Sequence, residues 1–332
     1  MKTTVTMVAV MMMVTVNGMT MDLTGTGRDA PTVYDTNTGM WYSYVVSAAK
    51  TKAGEETATM ETVQWGGMDF DALSGDFDAD GIDDYVAYDR EYGYWYIYSG
   101  AKEEVLTWGE QWGYSGCEPK VADFNGDGTD DISVWDPASY QWYFRYSAAT
   151  ITKKTKSGKI VQEKTEASTE QVDMSGFRPN VVENADLDGD GVTDLIKKLD
   201  WTVWYQYGDD HWNRIDFYMD LESNPTIPTL ICEDMNNDGK VDICGYNEAN
   251  GRWEIFYLKT NQYDQVTYDK EEFYWGYPGT EALPADYDGN GLTDLAVYDT
   301  NSAMWWVAYN SQEGYYRSES FQWGYDGTCK VK

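Results

Sequence analysis

A nine-residue acidic motif recurs about every fifty residues, and this period constrains the fold of the 332-residue chain more than any other feature. The copies are DFDADGIDD from Asp76, DFNGDGTDD from Asp123, DLDGDGVTD from Asp186, DMNNDGKVD from Asp234 and DYDGNGLTD from Asp286. A sixth copy, DLTGTGRDA from Asp22, has lost most of its carboxylates. The first aspartates are separated by 54, 47, 63, 48 and 52 residues. Two landmarks keep step with them. An aspartate or asparagine is followed six residues later by a tryptophan at Asp35/Trp41, Asp89/Trp95, Asp136/Trp142, Asn247/Trp253 and Asp299/Trp305, with a shortened Asp200/Trp204 in the fourth unit. A Trp-Gly pair begins eleven residues before the next motif at Trp65, Trp112 and Trp275. Three markers in one phase define a structural unit repeated along the chain.

The unit is made of strands. Segments such as YVAYD (85–89), YWYIYS (94–99) and EVLTWG (104–109) are β-branched and aromatic, with turn residues between them. No later segment carries a helical period. Each unit has room for four strands: one before the acidic loop, one after it, one around the core tryptophan and one leading to Trp-Gly. Four-stranded units at this spacing predict an all-β, closed β-propeller. The count is six blades; a seventh would need a unit that the sequence does not display. Trp323 opens WGYDGTCKVK with no acidic loop after it, so Thr328–Lys332 are predicted to pair with blade one and close the ring. Closure would remove open sheet edges.

The loops have the pattern of a hard-cation site. Oxygens at positions 1, 3 and 5 converge, a glycine at position 6 allows a sharp turn, position 7 offers its carbonyl, and a later carboxylate completes the shell. The predicted calcium ligands of loop two are Asp76, Asp78, Asp80, the Ile82 carbonyl and Asp84. Loop three supplies Asp123, Asn125, Asp127, the Thr129 carbonyl and Asp131. Loop four supplies Asp186, Asp188, Asp190, the Val192 carbonyl and Asp194. Loop five supplies Asp234, Asn236, Asp238, the Lys240 carbonyl and Asp242. Loop six supplies Asp286, Asp288, Asn290, the Leu292 carbonyl and Asp294. An EF-hand would close with a glutamate at position 12; here that position holds Ala87, Val134, Lys197, Gly245 or Val297, so the aspartate at position 9 closes instead. Magnesium fits less well, because it keeps several waters and demands a tight octahedron. Asp83 and Asp130, at position 8, are expected to be outer charges. Loop one has Thr24, Thr26 and Ala30 at positions 3, 5 and 9, so it should bind no ion and be held by hydrogen bonds.

The stretch ADYDGNGLTDLAVYD (285–299), preceded by WGYPG and followed by MWW, resembles the FG-GAP or VCBS-type repeat of bacterial extracellular proteins. It is also similar to the calcium-bearing blades of integrin α-subunit propellers. The resemblance implies secretion or surface display, and adhesion or glycan contact. It does not imply one activity, because propellers host many functions.

Charge and composition exclude other classes. A formal net charge of −33 repels nucleic acid and anionic lipid and attracts cations. No segment is long and apolar enough for a spanning helix. Lys2, the apolar run 5–16 and the small residue Gly18 fit a secretory signal peptide cut after Gly18, which leaves 19–332 as one propeller domain and places the chain outside the cell. The same alternating residues also suit a first strand. The four cysteines show no CxxC spacing. Cys232 and Cys244 flank loop five, where a cross-strand disulfide is an open alternative; Cys117 and Cys329 are expected to stay unpaired. Thr150–Gln171, rich in Lys, Thr, Ser and Glu, is read as a hairpin between the third and fourth strands of blade three, and 50–57 as its shorter counterpart in blade one.

These features predict a secreted or surface calcium-binding module that contacts glycans or extracellular proteins. Two alternatives stand beside it: a polysaccharide-active enzyme and a passive structural module. The single histidine, His211, lies in GDDHWNR and reads as a surface residue, and the clustered acids are already assigned to calcium, so catalysis is the less favoured reading. Aromatics in phase with the repeat should pack between blades; Trp201, Trp212, Tyr92 and Tyr140 break the phase and are candidate ligand contacts.

Overall fold

The strand after the acidic loop is buried on both of its faces. All six residues of Asp131–Asp136 and of Asp242–Asn247 are buried. A strand covered on both sides needs a sheet packed against each face, and radial stacking of blades provides this.

The computed structural model describes residues 16–47, 57–147, 150–154, 160–164, 167–176, 181–189, 193–199, 202–206, 213–216, 228–260, 266–299, 301–311, 314–315 and 317–323. Among these there is no helix, and so none long and apolar enough to cross a membrane. Six antiparallel four-stranded sheets follow one another in chain order. Blade one is β1 (Val16–Met21), β2 (Ala30–Asp35), β3 (Met40–Ser47) and β4 (Thr57–Gln64). Blade two is β5 (Asp71–Gly75), β6 (Asp84–Asp89), β7 (Tyr94–Ser99) and β8 (Glu104–Gln111). Blade three is β9 (Glu118–Ala122), β10 (Asp131–Asp136), β11 (Gln141–Tyr146) and β14 (Ser168–Asp173), with the separate hairpin β12 (Thr150–Lys154) and β13 (Ile160–Lys164) inserted before its last strand. Blade four is β15 (Val181–Ala185), β16 (Asp194–Leu199), β17 (Thr202–Gln206) and β18 (Asn213–Asp216). Blade five is β19 (Thr229–Glu233), β20 (Asp242–Asn247), β21 (Arg252–Thr260) and β22 (Val266–Tyr274). Blade six is β23 (Thr280–Ala282), β24 (Leu295–Asp299), β25 (Met304–Tyr309) and β26 (Arg317–Gln322). The acidic loop joins the first and second strand of every blade.

The core lies between blades. Trp41, Trp95, Trp142, Trp253 and Trp305 are fully buried. In four blades the indole N–H of this tryptophan donates to the carbonyl of the same blade's Trp-Gly tryptophan, at 2.8 Å (Trp41 to Trp65), 2.7 Å (Trp95 to Trp112), 2.8 Å (Trp253 to Trp275) and 3.0 Å (Trp305 to Trp323). The Trp-Gly indole then reaches into the next blade: Trp65 Nε1 donates to Tyr96 O at 3.0 Å, Trp112 to Tyr143 O at 3.3 Å and Trp275 to Trp306 O at 3.2 Å. Two positions of the repeat thus fasten four of the blades within themselves and link blade one to two, two to three and five to six.

The acidic loops are also fastened to each other, at position 8. Its backbone N–H donates to the position 1 carbonyl of the preceding loop: Asp83 to Asp22 (3.0 Å), Asp130 to Asp76 (2.8 Å), Thr193 to Asp123 (3.1 Å), Val241 to Asp186 (2.8 Å) and Asp29 to Asp286 (2.9 Å). In loop six the Thr293 hydroxyl makes the corresponding bond to Asp234 O at 2.8 Å. The six contacts run once around the molecule and close the ring. The Asp29–Asp286 link joins blade one to blade six, and Tyr44 packs there against Phe321 and Trp323.

Several expectations change. The innermost place of blade one is filled by β1, which pairs with β2 from Val16↔Asp35 to Met21↔Ala30. Ring closure therefore rests on the blade one–blade six contacts; Thr328–Lys332 lie outside the described residues. β1 straddles the predicted cleavage point, so a cut after Gly18 would leave Met19–Met21 of that strand. Cys232 opposes Ile243 and Cys244 opposes Ile231, which puts the two cysteines on opposite faces of blade five. Each packs in a different core cluster, and both are free thiols, as is Cys117. Cys329, and 48–56 in blade one, lie outside the described residues.

The glycine of Trp-Gly is required by geometry. Gly113 has φ +120°, and a Cβ there would sit 2.5 Å from the Tyr88 hydroxyl oxygen and 3.1 Å from Val134 Cγ1. Gly113→Ala should destabilise the fold by about 1–3 kcal/mol, read as a lower Tm. Adding Tyr88→Phe, which removes the hydroxyl in the way, should recover part of the loss. A melt unchanged by Gly113→Ala would contradict this packing.

Candidate metal centre

Each acidic loop wraps around its first aspartate. In loop two Asp76 Oδ1 accepts the N–H groups of Asp78 (3.3 Å) and Asp80 (3.2 Å), and Oδ2 accepts that of Gly81 (2.8 Å). Asp123 does the same with Gly126, Asp127 and Gly128. Asp234 takes Asp238 and Gly239, and Asp286 takes Gly289, Asn290 and Gly291. The position 5 side chain folds onto position 7: Asp80, Asp127, Asp238 and Asn290 accept the N–H of Ile82, Thr129, Lys240 and Leu292. Position 9 uses one oxygen to accept the position 2 N–H in four loops, as Asp84 from Phe77 (3.0 Å), Asp194 from Leu187 (2.9 Å), Asp242 from Met235 (3.1 Å) and Asp294 from Tyr287 (3.0 Å). Asp131 instead binds the N–H of Ser147 at 2.7 Å.

This wrapping turns the remaining oxygens inward. Asp76, Asp78 and Asp84 each bring one oxygen to within 4.8 Å of the others, and so do Asp186, Asp188, Asp194 and Asp286, Asp288, Asp294. Two oxygens bound to one Ca²⁺ at 2.3–2.6 Å can lie at most about 5 Å apart, so all three clusters fit a single ion. Loops three and five put Asn125 and Asn236 at position 3, with Asp131 and Asp242 at position 9. Buried oxygens with no hydrogen-bond partner mark the same spots: Asp78 Oδ2, Asp84 Oδ1, Asn125 Oδ1, Asp131 Oδ2 and Asn236 Oδ1. A buried acceptor left without a partner costs about 1–3 kcal/mol, more when charged. The donor set, hard oxygens only, suits calcium. Asp190 and Val192 of loop four lie outside the described residues.

Electrostatics point the same way. Burial, then neighbouring carboxylates, push Asp84 up to about 6 and Asp131, Asp242 and Asp294 up to about 7. Burial likewise raises the position 8 carboxylates, Asp83 to about 6 and Asp29 and Asp130 to about 7. Asp83 and Asp130 are therefore not outer charges. They are half-buried between loops, where each accepts the N–H of the preceding loop's first aspartate, Asp22 at 2.8 Å and Asp76 at 2.7 Å. Sequence reasoning missed this contact because position 8 varies (Asp, Thr or Val), and the backbone bond it makes leaves no trace in side-chain identity.

Loop one keeps the wrapped shape without the acids. Asp22 accepts the N–H of Thr24 (3.0 Å), Thr26 (3.3 Å) and Gly27 (2.6 Å), and the Thr24 and Thr26 hydroxyls are 2.7 Å apart where other loops hold carboxylates. In loop two an ammonium already stands at the cluster: Lys102 Nζ is 2.6 Å from Asp78 Oδ1 and 3.4 Å from Asp80 Oδ2.

The aromatic candidates divide. Tyr92 is exposed. Tyr140 is half-buried, its ring 6.2 Å from that of Trp135, and so is a packing residue. Trp201, Trp212 and His211 lie outside the described residues. Sequence reasoning passed over Trp108, 74% exposed and backed by Tyr96 and Trp65 at 5.4 and 5.7 Å. Register shifts in the pairing of β7 with β8 bracket it. The available signal was a second Trp-Gly pair, four residues before the one in phase.

Residues 76–134 match the FG-GAP-like repeat family. No curated protein sequence matches the chain significantly. Among solved structures, the periplasmic gluconolactonase of Pseudomonas aeruginosa is similar at 13% identity and TM-score 0.48, over 91% of this chain and 84% of that one. A protein from Lactobacillus plantarum is similar at 12% identity and TM-score 0.44, over 96% and 97%. BBS1N, solved in complex with ARL6DN, is similar at 11% identity and TM-score 0.43, over 89% and 78%.

A buried carboxylate whose pKa is raised stabilises the metal-free fold fully below its unfolded value, near 4, and loses that contribution as pH rises through its folded value. In excess EDTA, Tm should therefore fall between pH 5 and pH 8. Apparent calcium affinity should rise over the same range, because the ion needs the ionised form. A metal-free melt that is flat or rises from pH 5 to 8 would contradict the burial of these acids. Lys102→Met should tighten calcium at loop two by up to about fivefold, measured by titration, and no change or a weakening would show that the ammonium does not compete.

The acidic loop and the strand that follows it recur in all six blades, and the bond from the core tryptophan to the Trp-Gly carbonyl recurs in four: the chain is a six-bladed β-propeller, and its residues 76–134 match the FG-GAP-like repeat.

Proposed function

We propose that the chain is a secreted or cell-surface, calcium-loaded binding module that contacts glycans or extracellular proteins. The observation that carries this reading is the set of buried, partnerless oxygens at position 3 or 9 of loops two, three and five, beside the converging carboxylates of loops two, four and six. Asp78 and Asp84, Asn125 and Asp131, Asp188 and Asp194, Asn236 and Asp242, and Asp288 and Asp294 would hold the ions, with the first and fifth positions of each loop. A bound ion ties the hairpin bend to its strands and removes the repulsion among the acids. Sites in extracellular modules have Kd around 10⁻⁴–10⁻³ M, a range matched to millimolar calcium outside cells. Five divalent ions would offset ten of the 33 net negative charges.

Exposed rings on the rim support a contact role over a purely structural one. Trp108 and Tyr274 are 74% and 71% exposed, and both stand on the outermost strand of a blade. Flat exposed rings offer large contact area at low entropic cost.

Each site filled at ten times its Kd adds about 1.4 kcal/mol. Five sites together should raise Tm by about 10 °C or more between excess EDTA and millimolar calcium, with a smaller effect from magnesium. Asp131→Ala with Asp242→Ala should remove two sites and a matching part of the increase. An identical melt in calcium and in EDTA would refute the calcium-loaded reading.

A further inference from the structure

The side chain three residues after the core tryptophan reaches the Trp-Gly ring of the preceding blade. At the blade one–blade two boundary Tyr98 covers Trp65, and at the blade six–blade one boundary Tyr44 covers Trp323, each with ring centroids 5.2 Å apart. The blade two–blade three boundary uses a cation instead. There the Arg145 guanidinium lies 5.8 Å from the Trp112 ring centroid and 2.6 Å from an oxygen of Glu110, on the strand that leads to Trp112. An indole and a carboxylate thus clamp an arginine supplied by the next blade. The residue in this place at the blade five–blade six boundary, three after Trp305, is Ala308. A cleft of about 370 Å³ opens there, walled by Phe273, Trp275, Leu295, Ala308, Tyr315 and Ser318.

The carboxylate of the clamp is still present. Glu271 opposes Ile255 and Phe273 opposes Trp253. Ile255 and Trp253 both pack towards blade six, in the cluster that holds Leu295 and Ala308. Directly opposed residues of an antiparallel pair share a face, so Glu271 and Phe273 face blade six, and Trp275 packs against the same cluster. Glu271 accepts the Tyr257 hydroxyl at 3.3 Å. Burial, then neighbours that include Tyr257 and Glu271, hold the Tyr315 hydroxyl well above its ordinary pKa, which places Glu271 at the Tyr315 end of the cleft. The nearby cations point elsewhere. Lys270 and Arg252 pair with Glu254 and Glu272, and Lys270 stands over Phe256, on the face towards blade four. Arg317 opposes Tyr309 and stacks on its ring, on the face towards blade one. Among the described residues Glu271 therefore has no cationic partner. Fixed rings (the Trp275 indole is bonded to Trp306 O, and Phe273 and Tyr315 meet edge to face at 5.1 Å) and one unmatched carboxylate suit a planar cation. A guanidinium stacks on a ring while its edge bonds a carboxylate, which an ammonium does less well. The net charge of −33 favours a cationic segment over an anionic one.

We propose that the cleft between blades five and six docks an arginine side chain of a partner protein, its guanidinium against Trp275 and its N–H groups on Glu271, in the place that Arg145 fills from within the chain at the blade two–blade three boundary. This rests on the reading of the chain as a binding module and deepens it: the partner is a protein, and its anchor is one arginine.

The test is saturation-transfer NMR on calcium-loaded protein, with acetylated and amidated Gly-Gly-Arg-Gly-Gly as the probe and its counterparts with lysine or glutamine at the centre as controls. The arginine peptide should receive saturation on its side-chain methylenes. The lysine peptide, of equal charge, should bind about threefold or more weakly, and the glutamine peptide should give no transfer. Glu271→Gln, at an exposed position of an edge strand, should weaken the arginine peptide about threefold or more. Ala308→Arg supplies the missing side chain from within the chain and should abolish its binding; Glu271→Gln keeps the test decisive if Ala308→Arg folds poorly. No transfer to the arginine peptide, or equal binding of the arginine and lysine peptides, overturns the proposal. Binding left unchanged by Glu271→Gln, or by a folded Ala308→Arg, also overturns it, and transfer to methyl β-glucopyranoside in place of the peptides would assign the cleft to a glycan instead. The calcium-dependent melt is read on the same samples. Its absence in the unmodified chain would strike the broader reading, whereas a normal melt without arginine binding strikes the docking site alone.

Discussion

Bonds between successive acidic loops hold this molecule in a ring. Position 8 of each loop reaches back to position 1 of the loop before it, and six such contacts return to their starting point through Asp29 and Asp286. These contacts set the distance between loops, and with it the density of charge. They pack the position 8 and position 9 carboxylates into one partly desolvated belt, where burial raises several of them towards neutrality. The arrangement that closes the ring is the same one that creates a demand for cations.

Two kinds of repetition serve different ends. The tryptophans give strength: a core indole bonded within its blade and a Trp-Gly indole bonded to the next blade form a relay from blade one through blade two to blade three. The loops give charge and geometry. Loop one shows that they are separable. It keeps the wrapped backbone and its place in the ring while threonine hydroxyls stand in for the acids. A loop can therefore lose its acidic groups and still do its part in closing the propeller.

Most of the architecture was legible in the sequence, because a repeat averages out local ambiguity. The strand positions, the blade count, the hairpin inserted before Ser168–Asp173 and the packing role of the phased tryptophans all followed from period and phase. Features that depend on one residue's neighbours in space were not legible. Alternating Val and Thr near the N-terminus suited both a leader and a strand, and only pairing with Ala30–Asp35 reveals the strand at Val16–Met21. Cys232 and Cys244 look well placed for a bridge until the register sends them to opposite faces. Asp83 and Asp130 look like spare charges until the next blade is set beside them. The likeness to integrin α-subunit propellers rests on the loop motif alone, whereas the FG-GAP-like repeat is matched over residues 76–134.

The central claim is that the converging oxygens of loops two to six exist to hold divalent calcium. Counting ions tests it most directly: equilibrium dialysis against millimolar calcium, with metal and protein quantified in the same sample. The account predicts about five calcium ions per chain, from one ion for each loop that keeps its acids. A folded propeller that retains none, or a single ion, would contradict it.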